Sequence, residues 1–155
     1  MSVSAPVIIR YLLWIVGVLA AGMAVGMIAN ADMYPWYGEL QKSVLNPPPI
    51  AFPVAWTLLY ALMGWAAAWL HGRKESELLT LFFIQLAVNL AWSFVFFTFH
   101  MVILGFVWIL ILLGLVLWWV CGIHKLSPKV AATQLPYIGW LLFAAYLNGT
   151  IAVLN

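Results

Sequence analysis

The sequence predicts an all-α integral membrane protein, a bundle of five transmembrane helices. Five long apolar runs fill nearly all of the 155 residues, and none carries a charged residue past its first turn. The chain is 67% hydrophobic and 6% charged, where soluble domains carry about 25% charged residues. The runs are continuous, not alternating. In lipid the backbone must satisfy its own hydrogen bonds, so continuous runs of this kind form helices. The length suits one domain.

Each run is near the ~20 residues that span a bilayer. The first, 11–29, is longer than the ~7–15-residue core of a secretory signal. It therefore reads as a retained helix, although Ala29-Asn30-Ala31 looks like a small-x-small cleavage site. Gly22 and Gly26 form a GxxxG pair within it, which serves packing inside the bundle or dimerisation. The second run, 50–70, has Pro53 in its first turn, where a missing N–H costs nothing. The third covers 78–99 and the fourth 101–123. The fifth, 130–154, is preceded by Ser127-Pro128, a capping hydroxyl followed by a proline suited to N1. Pro136, deeper in this run, is expected to kink it.

Basic residues orient the bundle. Arg10, Arg73, Lys74, Lys125 and Lys129 fall on one side of a five-span chain, and only Lys42 falls on the other. The positive-inside rule places the N-terminus in the cytoplasm and the C-terminus outside. A bacterial inner membrane is expected, with the mitochondrial outer membrane as the alternative. The first connection, 30–49, is the one long loop. It holds Asp32, Trp36, Tyr37, Glu39, Lys42 and Asn46-Pro47-Pro48-Pro49, whose prolines favour extended backbone. A long loop on a minimal scaffold is a candidate lid.

Composition also excludes functions. Intramembrane ionisable groups mark ion paths and proton relays. The runs hold none in their interiors, which argues against an ion-coupled pump. A net charge of +2, spread along the chain, does not suit nucleic acid. Cys121 has no partner for a disulfide or a metal site. His71, His100 and His124 lie at connections and read as interfacial. No metal set, nucleophile–base pair or phosphate loop is expected.

What the interior offers is indoles and amides. Gln85, Asn89 and Ser93 recur every four residues on the third run, with Trp92 and Phe96 beside them. Amides in hydrocarbon need partners, so these either join helices or face a ligand cavity. Trp56 and Tyr60 share a face of the second run, while Trp65 and Trp69 look like interfacial belt residues. Trp140, Ala144 and Asn148 share a face of the fifth, and the alanine leaves room against the indole.

Three groups of residues resemble one family. Trp36-Tyr37, Leu40, Lys42, Pro47-Pro48, Phe52-Pro53 and Trp56-Thr57-Leu58-Leu59-Tyr60 make the first. Gln85-Leu86, Asn89, Trp92-Ser93 and Phe96-Phe97 make the second, and Leu135-Pro136-Tyr137, Trp140, Phe143-Ala144 and Tyr146-Leu147-Asn148 the third. In this order they resemble the tryptophan-rich sensory protein/translocator protein (TspO) family across essentially the whole chain. The resemblance implies a five-helix bundle, commonly a homodimer, with a ligand pocket under the first loop. Ligands of the family include porphyrins such as protoporphyrin IX, sterols and synthetic benzodiazepine-type drugs.

Carried over by motif, the ligand-binding residues are Trp36, Pro47, Pro48, Trp56, Asn89, Trp92, Trp140 and Ala144. No cofactor is required, and the expected partner is a porphyrin or another planar hydrophobic molecule. The resemblance also implies light-dependent porphyrin breakdown as an alternative activity, with Trp56 and Trp140 as its candidate catalytic residues. A scaffold role without a ligand is the remaining alternative. Two departures stand out. Leu45 replaces the family's loop tryptophan and Ser43 its first proline. No Lys or Arg follows Tyr146, as the proposed sterol motif would require.

Overall fold

A computed structural model describes residues 4–31 and 33–155; Asp32 lies outside the described residues. Five helices in it are long and apolar enough to cross a membrane. The first, α1 (Ala5–Ala29), starts ahead of the expected Tyr11. Pro6 explains the earlier start, because its fixed φ favours a first helical turn after extended Ser4. Arg10 is thereby on the helix. Among its described residues the first connection contains a single short helix, α2 (Trp36–Glu39).

The second span, α3 (Ala51–Arg73), has Pro53 in its first turn as expected, and stops where Lys74 turns left-handed at φ 62. The third span is α4 (Ser76–Ser93) continued by a π-helical turn, Phe94–Thr98. Phe99 N–H donates to Phe94 O at 2.9 Å, five residues back, which widens the turn. His100 ends it at φ 57. The fourth span, α5 (Val102–Leu126), is uninterrupted.

The fifth run is broken, not kinked at Pro136. It forms α6 (Pro128–Ala132) and α7 (Leu135–Leu154). As expected, Ser127 Oγ caps α6 by accepting from Val130 N–H at 3.4 Å. Pro136 cannot supply the N–H that a continuous helix would need, and its ring would crowd the carbonyl of Ala132. The break therefore precedes the proline, which lies in the first turn of α7. The freed segment turns Gln134 inward. This residue is fully buried, and its Nε2 donates to Leu62 O at 3.0 Å and to Thr133 Oγ1 at 2.9 Å.

Around the bundle the close neighbours run α3, α1, α4, α5, α7. The core is thickest toward the 73–75 and 126–129 connections, where Met63, Leu70, Phe82, Trp119 and Ile123 are almost wholly buried. There α1 and α3 are held in backbone contact by Gly64. A Cβ at Gly64 would stand 2.7 Å from Ile15 Cα and 2.9 Å from Trp14 O. Small residues permit this approach in a bilayer, where van der Waals packing, not apolar burial from water, holds helices together.

Gly64→Ala is predicted to destabilise the bundle by about 1–3 kcal/mol, because only backbone can yield. Gly114→Ala should be neutral or slightly stabilising, since nothing lies within 4 Å of a Cβ there. Thermal unfolding of both variants in detergent checks the pair.

Candidate functional site

Toward the first connection the bundle opens into a cavity of about 500 Å³. Its walls come from α1 (Gly22, Met23, Gly26, Met27), α3 (Trp56, Thr57, Tyr60), α4 and its π-turn (Asn89, Trp92, Phe96, Phe97) and α7 (Trp140, Ala144, Asn148). Two consecutive phenylalanines reach it through the π-turn, whose wider winding breaks the 100° step between neighbours. Gly22 packs beneath the Tyr60 ring, leaving no room for a Cβ, so this half of the GxxxG pair is used inside the bundle. At Gly26 a Cβ would meet open space. Met23 and Met27 are 60% and 76% exposed, so the wall on the α1 side is open to the outer surface.

Aromatic rings define the shape. Trp56 and Trp140 stand 6.4 Å apart at 81°, in edge-to-face contact across α3 and α7. Trp56 also stacks on Tyr60 at 5.3 Å, and Phe52 meets Trp140 edge-on at 6.0 Å. Opposite them Trp92 stacks on Phe96 at 5.1 Å, while its Nε1–H donates to Gly105 O at 3.1 Å. That bond fixes the indole at the cavity wall.

The polar groups at the floor form a chain of hydrogen bonds, although the buried Gln85 Nε2 has no partner among the described residues. Tyr60 Oη–H donates to Asn89 Oδ1 at 3.0 Å, Asn89 Nδ2–H to Tyr137 Oη at 2.9 Å, and Tyr137 Oη–H to Gln85 Oε1 at 2.9 Å. The chain crosses α3, α4 and α7. Gln85 and Asn89 thus join helices, and Asn89 also lines the cavity. Asn148 Nδ2 donates to Val102 O at 2.9 Å, and its buried Oδ1 has no partner among the described residues.

The first connection is docked over the opening, not trailing as a linker. Gln41 N–H donates to Asn155 Oδ1 at 2.9 Å, and Asn155 Nδ2 returns a bond to Gln41 O at 3.0 Å. Ser43 Oγ and Tyr146 Oη are 2.7 Å apart, a contact that proline at this position could not make. Lys42 Nζ sits 4.6 Å from the Tyr37 ring centroid. Burial pushes the Tyr37 phenol above its ordinary pKa.

Of the residues picked from sequence, Pro47, Trp56, Asn89, Trp92, Trp140 and Ala144 meet at this cavity. Trp36 and Pro48 do not line it. Trp36 instead stacks on His100 at 4.0 Å and meets Phe96 edge-on at 5.6 Å, pinning the loop to the π-turn. Leu45, at the position of the family's loop tryptophan, is 61% exposed and does not line the cavity. Trp65 and Trp69 are half-buried near the basic end, with the Arg73 guanidinium 4.8 Å from the Trp69 ring. Tyr34, Tyr37 and Asn46 line the cavity without having been singled out as ligand contacts. Asn46 sits beside Pro47 in the quoted motif, which is the signal that could have found it.

Residues 11–154 match the TspO/MBR family. Among relatives, the tryptophan-rich protein TspO of Archaeoglobus fulgidus is 36% identical, covering 96% of this chain and 98% of that protein. Protein CrtK of Rhodobacter capsulatus is 35% identical over 77% of this chain and 78% of its own. The translocator protein of Ovis aries is 36% identical over 77% of this chain and 74% of its own.

Tyr137→Phe should cost about 1–3 kcal/mol, because it leaves Asn89 and Gln85 each short of a buried partner. Tyr146→Phe, which unties Ser43, should raise amide exchange in residues 33–49 about fivefold and leave the spans unchanged. Denaturant titration checks the first and hydrogen-exchange mass spectrometry the second.

Proposed function

The chain belongs to the TspO/MBR family of multi-pass membrane proteins, and on that premise we propose that its cavity binds a porphyrin or a similar planar apolar molecule. One observation carries the reading. The indoles of Trp56 and Trp140 wall a 500 Å³ aromatic cavity beneath a docked loop. The volume lies within the ~300–1,000 Å³ typical of small-molecule sites. Flat π surfaces favour a conjugated ligand by about 0.5–1.5 kcal/mol per ring pair beyond burial. Because Asn89 is held between Tyr60 and Tyr137, ring contact and shape, not a free amide, supply most of the recognition. The role is sensing or carrying such a molecule. The basic residues beside the 73–75 and 126–129 connections support an N-terminus in the cytoplasm, in a bacterial inner membrane.

Light-driven breakdown of the bound porphyrin, with dioxygen as the oxidant, is a second reading. It draws on Trp56 stacked on Tyr60, whose hydroxyl is hydrogen-bonded to Asn89. An indole so placed is a candidate electron donor to an excited ligand.

Protoporphyrin IX titrated into the detergent-purified protein should quench tryptophan fluorescence saturably. The Trp56→Phe/Trp140→Phe double variant should bind about tenfold more weakly. Unchanged affinity in a folded double variant would overturn the binding site. Illumination of the complex separates the readings, since products formed only in light and lost in the double variant would favour the photochemical one.

A further inference from the structure

One polar atom on the cavity wall is left over. Asn148 of α7 lines the cavity and is 3% exposed. Its Oδ1 is buried with no hydrogen-bond partner among the described residues. We propose that Asn148 determines specificity in this cavity, its Oδ1 accepting a hydrogen bond from an uncharged O–H or N–H on the rim of a planar ligand. This rests on the cavity being the ligand site, and it adds the kind of substituent the ligand carries.

The direction of the amide is fixed by its other end. Asn148 Nδ2 donates to Val102 O at 2.9 Å. Reversing the amide would set its oxygen against that carbonyl, two acceptors with no proton between them. The free end is therefore an acceptor. Neighbouring donors are already committed: Trp92 Nε1–H to Gly105 O, and the Tyr60 hydroxyl to Asn89. Gly105 keeps the oxygen uncrowded. A Cβ on Gly105 would stand 3.0 Å from Asn148 Oδ1, 3.2 Å from Phe96 Cδ2 and 3.5 Å from Trp92 Nε1. One point thus touches the acceptor and both rings, so the aromatic wall and the unpaired oxygen meet at one place.

Charge narrows the donor. Among the described residues no Lys, Arg, His, Asp or Glu lines the cavity. A carboxylate beside Asn148 would face another acceptor with no cation to balance it, and an ammonium would find no carboxylate. A neutral hydroxyl, amide or pyrrole-type N–H meets neither difficulty. Asn89 cannot take the same role, because both ends of its amide are held by tyrosines. A ligand of the same shape without a donor would seal the Asn148 oxygen away unpaired. Sites of that kind reject the analogue lacking the donor.

Pyrene probes test this in the detergent-solubilised full-length protein, read by energy transfer from tryptophan. 1-Pyrenemethanol carries the donor. 1-Ethylpyrene has nearly the same shape without it, and the methyl ether of the alcohol keeps the oxygen but not the proton. With affinities expressed per mole fraction in detergent, the alcohol should bind at least about fivefold more tightly than either analogue. Asn148→Leu should bring that ratio to about one. Gly105→Ala, which leaves the Asn148 side chain in place but crowds its oxygen, should lower it. Equal affinities for the three probes in the unmodified protein, or no saturable binding of any, would overturn the proposal without a variant. A folded Asn148→Leu protein that kept the preference would overturn it as well. Protoporphyrin IX added as competitor separates this from the porphyrin reading. Displacement of probes that show no donor preference would sink the role of Asn148 alone. A donor preference lost in Asn148→Leu, with no displacement by porphyrin, would uphold that role and sink the porphyrin.

Discussion

The amide of Asn89 sits where an unpaired polar group would be most costly, at the centre of a bundle whose outside is lipid. Its oxygen takes the Tyr60 hydroxyl and its nitrogen gives to Tyr137, which passes its own proton to Gln85. Without water to compete, these bonds have no alternative partner outside the bundle. They hold α3, α4 and α7 at fixed separation across a space too wide for backbone packing, and the cavity is that space. Apolar contacts in lipid could not choose this spacing, because a lipid tail packs on a leucine about as well as another helix does.

The two ends of the bundle follow different rules as a result. Near the 73–75 connection, Gly64 brings α1 and α3 into backbone contact and large side chains fill the remainder. Near the first connection, Gly22 admits the Tyr60 ring, Gly26 faces open space, and indoles define the edges. The loop closes this end through fixed points: Trp36 on His100, Ser43 on Tyr146 and Gln41 on Asn155.

Much of this was legible in the sequence, because the dominant force is local in the chain. Hydropathy located all five spans, and helical spacing put Trp56 with Tyr60 and Trp140 with Ala144 on common faces. Six of the eight residues picked by motif resemblance line one cavity. What was not legible depends on contacts far apart in sequence. The break at Thr133 and Gln134 needs the Leu62 carbonyl as partner for a buried amide. The π-turn leaves no apolar signature, since Phe94–Thr98 reads equally well as α-helix. Trp36 was carried to the cavity by motif resemblance, but its partner His100 lies beyond two intervening spans. Helix starts also slipped, at Ala5 for instance, because hydropathy marks where lipid begins and not where hydrogen bonding does.

The exposed methionines of the α1 wall have a consequence of their own. Met23 and Met27 face both the cavity and the surface that lipid would cover. A molecule dissolved among acyl chains meets this opening sideways, without first crossing into water. For such a molecule, occupancy follows its mole fraction in the membrane, not its aqueous concentration. Adding empty lipid or micelles would then dilute the ligand and empty the site, even with the total amounts of protein and ligand held constant.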